Sequence, residues 1–361
     1  MALSSVTGRV SDSPPDERPV RVRRPRYPGK RPRAFDDKYK ERNPERYPED
    51  LQKVLASGKT PAGMHIPILL REVLECLGPH PGDIVVDCTL GWGGHTRALL
   101  DRVRPGGRVI GLDVDPIECP RTEARLRAAG FGPDTFVARH ANFAGLPQAI
   151  ADEGLTQVDV ILADLGVSSM QFDNPARGFS YKGAGPLDMR MNPERGETAA
   201  QLIARSSQRD LVRLLEEHAD EPHAAVIAHL LTNHPPVTTH ALERQVRLGL
   251  GAARPDLTKI DLKLSTRRTF QALRIAVNDE FSALDALLRS LPHCLRPGGR
   301  AALLTFHSGE DRRVKKAFQS GFRSGLYRAI APEVIRSTKE ETFANRRAIS
   351  AKLRWAVRAD G

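Results

Sequence analysis

The sequence predicts an α/β protein whose parallel, doubly wound sheet is interrupted by a helical insertion. Between about residues 65 and 164, short β-branched runs alternate with segments of helical periodicity, and such alternation is typical of parallel sheets. For roughly the next hundred residues only helical patterns occur. A helix and a strand ending at Phe306 then resume the alternation, so the insertion divides one sheet domain.

The first part of the sheet domain contains four predicted strands. Apolar residues at helical spacing predict a helix over 66–77, which the Pro79-His-Pro-Gly82 segment ends. The strands are predicted at 83–87, 108–113, 134–138 and 158–164, with helices at 95–103, 121–129 and 145–151 between them.

The insertion and the end of the sheet domain follow from helical periodicity and its breaks. Helices are predicted over 199–217, 224–232 and 239–250, then one long helix from Phe270 to Leu291, a turn at 296–299 and a strand at 300–306. The predicted domains are an N-terminal extension (1–60), a first sheet part (61–175), a helical insertion (176–264) and a second sheet part with a basic C-terminal segment (265–361).

The positive charge of the chain is concentrated at its ends. The net charge is +11 over 361 residues. Residues 1–50 hold 13 basic and 9 acidic side chains, residues 51–310 hold 29 and 30, and residues 311–361 hold 13 and 5. Basic ends suit a polyanionic partner, because each neutralised phosphate releases counterions. Solvated ends that only aid solubility are the alternative.

Several classes of protein are disfavoured by composition. No run approaches the roughly 20 apolar residues of a membrane span, and no signal peptide is evident, so we expect a cytoplasmic protein. The four cysteines form no CxxC pair, so neither disulfides nor a metal site are predicted. Residues 1–60 carry 8 of the 27 prolines and are predicted to be disordered, with a basic stretch at 21–33 that suits an RNA backbone.

Two features at predicted strand ends suit a cofactor. A glycine loop, Gly91-Trp-Gly-Gly-His-Thr96, follows the first strand, and Asp113 ends the second, where it can accept hydrogen bonds from ribose hydroxyls. The loop lacks the third glycine of a dinucleotide fingerprint and better fits S-adenosylmethionine-dependent methyltransferases. A glycine turn that serves only tight packing is the alternative.

Asp164, at the end of the fourth strand, is the candidate catalytic residue. The lone pair of an exocyclic amino group is delocalised into its ring, so the nitrogen is a poor nucleophile. An acid and nearby backbone carbonyls can accept its hydrogens and favour the geometry needed for attack on a methyl carbon. The alternative is that Asp164 only caps the next helix.

Eight motifs in this order resemble the RsmH (MraW) family of small-subunit ribosomal RNA cytosine-N4 methyltransferases. They are His65-Ile-Pro-Ile-Leu-Leu-Arg-Glu-Val-Leu, the glycine loop, Gly111-Leu-Asp-Val-Asp-Pro116, Asp164-Leu-Gly-Val-Ser-Ser169, Arg177-Gly-Phe-Ser180, Gly185-Pro-Leu-Asp-Met-Arg-Met-Asn192, Arg268-Thr-Phe-Gln-Ala-Leu-Arg-Ile-Ala-Val-Asn-Asp-Glu280 and Phe306-His-Ser-Gly-Glu-Asp-Arg312. The resemblance covers about residue 62 to the C-terminus. It implies a Rossmann-like class I methyltransferase sheet with an inserted all-helical domain that recognises the substrate.

The resemblance also implies a reaction and a site. The substrate would be the N4 of cytidine 1402 (family position) in 16S rRNA of the small ribosomal subunit, methylated from S-adenosyl-L-methionine. The implied cofactor contacts are Gly93, Gly94, His95, Asp113, Phe143, Asp164 and Gln171. For Phe143, a place in the core is the alternative to the adenine site.

The residues that would hold the substrate base are less well determined by sequence. Phe179 and Tyr181 are candidates for stacking on a splayed-out base or for packing the insertion on the sheet domain. His307 is a candidate for a base contact or a structural hydrogen bond. Arg190, Arg274 and Arg312 are candidates for phosphate contacts. Solvated or salt-bridged arginines are the alternative.

The chain departs from the family pattern in two places. It has Leu264-Ser-Thr-Arg-Arg268 where the family usually has His-Pro-Ala-Thr-Arg, and Gly309 where the family usually has leucine. Alternative functions are a noncatalytic ribosome-binding or assembly protein, a nicotinamide-dependent oxidoreductase, and an amino-methyltransferase for DNA, another nucleic acid or protein. The oligomeric state stays open, a homodimer included.

Overall fold

A computed structural model describes residues 67–360 of the chain. The predicted N-terminal extension, residues 1–60, lies outside the described residues. The strands are β1 Ile84–Asp87, β2 Arg108–Asp113, β3 Phe136–His140, β4 Val158–Asp164, β5 Leu295–Thr305, β6 Tyr327–Ile330 and β7 Lys352–Arg358. The helices are α1 Leu70–Leu77, α2 Gly94–Val103, α3 Glu118–Ala128, α4 Leu146–Ala151, α5 Ser169–Asp173, α6 Ala199–Arg205, α7 Gln208–Ala219, α8 Ala224–Asn233, α9 Thr239–Ala253, α10 Lys259–Asn278, α11 Glu280–Cys294, α12 Ser308–Arg323 and α13 Lys339–Ala344.

The strands form one sheet in the order β3-β2-β1-β4-β5-β7-β6. Strands β1 to β5 are mutually parallel, and β7 runs antiparallel to both of its neighbours. This arrangement confirms the predicted Rossmann-like α/β sheet. The β6 and β7 strands were not predicted, and they place the basic C-terminal segment inside the sheet.

Consecutive residues of each strand pack in two different apolar clusters, one on each face of the sheet. Val85 of β1 packs in one apolar cluster with α1 and α2, while Val86 packs in the other with α4 and α11. Side chains of a strand alternate between the two faces of a sheet, and parallel sheets are covered on both faces. The central strands are therefore nearly continuous apolar runs, which is why they could be recognised in the sequence.

A third apolar cluster holds the inserted helices together. It contains buried side chains of α6 to α10, together with Phe179 and Leu187 from the segment before them. Helix α10 extends through the domain boundary predicted between residues 264 and 265. This one helix therefore belongs to the helical cluster and also leads back to the sheet domain.

Two predicted helices are each divided in the structure. The helix expected over 199–217 is α6 and α7, and Ser207 caps α7 by accepting the backbone N–H of Asp210. The single helix expected from Phe270 to Leu291 is α10 and α11, separated at Asp279 with a φ of 48°. Apolar spacing continues across both breaks, so periodicity alone could not reveal them.

Within residues 67–360, no helix is both long and apolar enough to cross a bilayer.

Candidate active site

Three acidic side chains end neighbouring strands at one edge of the sheet. Asp87 ends β1, Asp113 ends β2 and Asp164 ends β4. In the strand register, Asp87 pairs with Gly111 on one side and Leu162 on the other. Strands β2 and β3 lie on one side of β1, and the chain then crosses to β4 on its other side. The gap between the ends of β1 and β4 is therefore the switch point, the place where α/β sheets bind ligands.

The glycine loop lies against the middle of this edge. Gly93 caps α2 with a φ of 81°, and a Cβ placed on it would lie 2.8 Å from Cγ2 of Thr122. The backbone N–H of Gly91 donates to Oδ2 of Asp113 at 2.8 Å. The loop therefore needs glycine both for its backbone conformation and for its close approach to α3.

Asp87 fixes the loop and the start of α2. Its buried carboxylate accepts hydrogen bonds from Oγ1 of Thr96 at 2.6 Å and from the backbone N–H of Thr89 at 3.1 Å. The hydroxyl oxygen of Thr89 in turn accepts the backbone N–H of Asp164 at 2.6 Å. Thr89 therefore links the end of β1 to the end of β4 by hydrogen bonds.

The Asp164 side chain lies recessed at this edge, with 29% of its surface exposed. Its Oδ2 is 3.6 Å from Nδ1 of His95. Its Oδ1 is buried and has no hydrogen-bond partner among the described residues. Helix α5 is capped by Ser168 and Gln171 in a reciprocal pair of hydrogen bonds. The helix-capping alternative is therefore wrong for Asp164, and one of its oxygens is left to accept a hydrogen from a ligand.

The tautomer of His95 follows from its partners. Nε2 lies 3.1 Å from the carbonyl oxygen of Ile68, which can only accept, so Nε2 carries the hydrogen and Nδ1 presents a lone pair to Asp164. Burial lowers the pKa of His95 to about 4. Burial, and then repulsion from Asp87 and Glu310, raises the pKa of Asp164 to about 8. Near neutral pH, the proton of this pair therefore resides on Asp164.

The acidic edge favours a positively charged ligand. Burial raises the pKa of Asp113 to about 6, and its acidic neighbours Asp115 and Asp87 add to the rise. A cation bound between these carboxyl groups would stabilise their ionised forms. Three carboxyl groups at neighbouring strand ends are therefore compatible with a cationic ligand beside the glycine loop.

A buried ion pair connects this edge to the helical insertion. Nη1 of Arg177 lies 2.7 Å from Oδ2 of the fully buried Asp115. Nη2 of Arg177 donates to the carbonyl oxygens of Arg190 and Met191 at 2.9 and 2.8 Å. Nε2 of Gln171 donates to the same Asp115 oxygen at 2.8 Å. Gln171, predicted as a cofactor contact, thus supports the acid two positions after Asp113.

The remaining predicted site residues are spread over three places. Phe143 is half-buried and packs on the sheet core beside α4 and α11. Phe179 is buried in the helical cluster, and the ring of Tyr181 packs edge-on against Phe270, with the centroids 5.1 Å apart. The partly exposed His307 caps α12 through Nδ1, and its Nε2 lies 3.2 Å from Oε1 of Glu310. Packing thus accounts for Phe179, whereas Nε2 of His307 has no hydrogen-bond partner among the described residues.

The three candidate phosphate-binding arginines form ion pairs. Arg190 pairs with Asp188 at 2.8 Å, Arg274 with Glu280 at 2.8 Å, and Arg312 with Asp220 at 2.6 Å.

One group of side chains has the atoms to hold a metal ion. Glu280, His307 and Glu310 bring potential ligand atoms within 4.8 Å of one another. Both Glu280 oxygens, however, accept hydrogen bonds from Arg274, and Oε2 of Glu310 accepts the backbone N–H of Phe306. Because Arg274 already balances the charge, we assign no metal to this group.

Gly309 makes room for an aromatic ring beside this group. A Cβ on Gly309 would lie 2.6 Å from Cζ of Phe281 and 3.2 Å from Nδ1 of His307. The ring of Phe281 is also covered by the guanidinium of Arg313 at 3.6 Å. The departure from the family pattern is thus compensated locally by the position of Phe281.

We expect Gly309→Leu to destabilise the protein by about 2 kcal/mol, because the new side chain overpacks the buried Phe281. Urea unfolding measures this change. Gly132→Leu is the matched control, since a Cβ at Gly132 meets nothing within 4 Å. Equal losses in the two variants would contradict the packing explanation.

Sequence reasoning missed two residues that organise the site. Thr89 lies in the turn after β1, and Asp115 lies in the motif after β2 without having been singled out. Their roles depend on Asp164 and Arg177, which are 75 and 62 positions away. The one sequence feature that could have pointed to Asp115 is its position as a second acid two residues after Asp113.

Comparison with known proteins finds several similar chains. Residues 62–359 match the model of the MraW methylase family. The chain is 45% identical to ribosomal RNA small subunit methyltransferase H 1 of Lachnoclostridium phytofermentans, over 98% of this chain and 97% of that protein. It is 47% identical to ribosomal RNA small subunit methyltransferase H 2 of Alkaliphilus metalliredigens, over 94% and 98%. A solved structure described as a putative rRNA methylase from Clostridium thermocellum aligns with a TM-score of 0.40 at 12% identity, over 82% of this chain and 98% of that one.

Proposed function

The chain belongs to the MraW methylase family, and on that premise we propose that it transfers a methyl group from S-adenosylmethionine to a cytosine N4 in small-subunit ribosomal RNA. Relatives that match over nearly their full length are named ribosomal RNA small subunit methyltransferase H. The finer assignment, cytidine 1402 of 16S rRNA, rests on the motifs described above. A cytoplasmic location follows from this substrate.

The residues at the strand ends fit S-adenosylmethionine. The fit is tested by the three acids that end neighbouring strands beside the glycine loop, whose ionised forms a sulfonium would stabilise, and by Oδ1 of Asp164, a buried acceptor with no hydrogen-bond partner among residues 67–360. Gly93, Gly94 and His95 would hold the cofactor along the start of α2, and Asp113 would accept from its ribose. Phe143 would lie on the adenine side, and Gln171 would act through Asp115.

The single observation that carries the catalytic assignment is that Oδ1 of Asp164 is buried and has no hydrogen-bond partner within residues 67–360. When bound, S-adenosylmethionine supplies a methyl group on a positively charged sulfur. Oδ1 of Asp164 accepts one amino hydrogen of cytosine and turns the nitrogen lone pair toward that methyl group. The amino nitrogen must release one proton as it gains the methyl group. Asp164, ionised beside the bound sulfonium, would take this proton.

The test is incubation of the protein with methyl-labelled S-adenosylmethionine and small ribosomal subunits that lack the modification. We expect label in N4-methylcytidine at one position, mapped by mass spectrometry of rRNA fragments. Label in DNA or protein would show that the enzyme methylates another substrate. If the protein binds small subunits but transfers no label, a noncatalytic assembly protein is favoured. The absence of label from cytidine would overturn the proposal.

The raised pKa of Asp164 predicts that cofactor affinity increases with pH. A carboxyl whose pKa is about 8 ionises progressively from pH 6 to 9, and only the ionised form attracts a sulfonium. We expect S-adenosylmethionine to bind about tenfold more tightly at pH 8.5 than at pH 6.5, as measured by calorimetry. S-adenosylhomocysteine is the control, because it has the same amino-acid and nucleoside parts but no charge on sulfur. Equal pH dependence of the two ligands would contradict the role of the acidic edge.

A further inference from the structure

A cavity in the helical insertion lies apart from the residues assigned to the cofactor. It has a volume of about 560 Å³ and lies between α9, α10 and the segment that contains Tyr181. Its lining includes none of the acids at the strand ends and none of the glycine loop. A volume of this size is within the range of small-molecule sites and accommodates a nucleotide.

The rim of this cavity is positively charged. Arg247 of α9 and Lys259 and Lys263 of α10 line it, against a single acid, Glu243. Glu243 pairs with Arg247 at 2.7 Å. Within residues 67–360, neither lysine forms an ion pair or side-chain hydrogen bond. The two lysines are four residues apart on one helix, so their ammonium groups are available on the same face.

The walls of the cavity are apolar and aromatic. Leu248 and Leu262 contribute aliphatic surface, and Leu248 is 49% exposed. The ring of Tyr181 lines one side and is held edge-on by Phe270. An aromatic and aliphatic pocket with cations at its rim has the chemistry that binds an unstacked base and its phosphates.

We propose that this cavity binds one unstacked nucleotide of the RNA substrate, with the base against Tyr181 and its flanking phosphates at Lys259 and Lys263. The inference rests on the proposed function, because it takes the nucleotide to belong to the same RNA that is methylated. The target cytosine must reach Asp164, so the nucleotide in this cavity is a different one. The cavity therefore adds a second point of attachment that orients the RNA.

The first test replaces the two lysines, in the variant Lys259→Gln/Lys263→Gln. With unmodified small subunits we expect KM to rise about tenfold and kcat to stay within twofold, because the chemistry at Asp164 is untouched. With fluorescent oligouridylate, the slope of log affinity against log salt should fall by about 1.4, since each phosphate contact to a single strand contributes about 0.7. Calorimetry should give unchanged affinity for S-adenosylmethionine.

The matched control is Arg209→Gln/Arg213→Gln on α7. These two arginines are also exposed and four residues apart in the insertion, and they do not line the cavity. We expect this control to change KM less than twofold. Equal effects in the two double variants would overturn the proposal and leave only general attraction between cations and RNA.

The second test separates stacking from charge. Tyr181→Leu should weaken oligouridylate binding about tenfold, whereas Tyr181→Phe, which keeps the ring, should bind like the parent. Oligonucleotides with 4-thiouridine should photo-crosslink to Tyr181 or to peptides of α9 and α10. If Tyr181→Leu fails to fold in a thermal melt, the crosslink and the lysine variant decide the question.

Two outcomes would overturn the proposed cavity site: unchanged binding in a folded Tyr181→Leu, or crosslinks confined to other regions. If the parent protein itself transfers no methyl label to small subunits, the proposed function fails, and oligouridylate binding still reports on the cavity separately.

Discussion

Asp164→Ala should lower kcat about 1,000-fold while S-adenosylmethionine affinity changes only a few fold. The substitution removes the buried Oδ1 that has no partner in the described residues and the group that takes the amino proton. Turnover with small subunits and calorimetry with the cofactor measure the two quantities. A comparable collapse of cofactor binding would reassign Asp164 to a role in holding the cofactor.

Asp164→Asn separates the two parts of this role. The amide oxygen can still accept an amino hydrogen, but the amide cannot take up the proton at neutral pH. We therefore expect kcat between those of the parent and Asp164→Ala, about 100-fold below the parent. An Asn variant as slow as the Ala variant would show that orientation by one oxygen contributes nothing without the proton transfer.

The same variant should be more stable than the parent at alkaline pH. The folded-state pKa of Asp164, about 8, lies above its ordinary value of 3.8. The folded protein therefore holds the proton more tightly, and stability falls as pH rises from about 4 through about 8. Asparagine removes this loss, so urea unfolding at pH 9 should show a gain of about 1 kcal/mol. A gain of equal size at pH 4 would contradict the titration of Asp164 as its cause.

Arg177→Met should destabilise the protein by about 3–5 kcal/mol, because it leaves the fully buried Asp115 carboxylate without its cationic partner. The loss also frees the carbonyl oxygens of Arg190 and Met191 in the insertion. Urea unfolding measures the stability. Limited proteolysis should show earlier cleavage near residues 190–198, since these carbonyl contacts hold that segment.

The control for Arg177 is an exposed ion pair of the same length. Arg254 lies 2.7 Å from Asp256, and both side chains are largely exposed. Arg254→Met should have little measurable effect, because water already solvates both charges. In addition, Arg177→Met/Asp115→Asn should recover part of the stability lost by Arg177→Met alone. If the double variant is no more stable than the single one, the buried charge is not the cause of the loss.

The basic C-terminal end has a more limited role than its charge of +8 suggests. Lys352 and Arg354 lie on β7 in the sheet and both pair with Asp311. Arg347 pairs with Asp173 near the start of the insertion. Part of this positive charge therefore stabilises the fold, and a count of charges in the sequence could not separate it from charge that remains available to RNA.

The five parallel strands were predictable because their causes are local. The apolar run of β4 and the acid that ends it are visible in seven consecutive residues, and a parallel sheet brings the ends of such strands to one edge. The glycine loop was visible for the same reason. Asp164, Asp113 and Gly93 could therefore be chosen without coordinates.

Contacts between distant parts of the chain were decided only by the tertiary structure. The raised pKa of Asp164 depends on its burial and on the charges of Asp87 and Glu310, which come from distant parts of the chain. Tyr181 lines a cavity formed by α9 and α10 because of where the inserted helices pack. By itself, the sequence determined which residues end the parallel strands and form the candidate site. The structure determined their ionisation and partners, because burial and pairing depend on what packs around a group rather than on its neighbours in the chain.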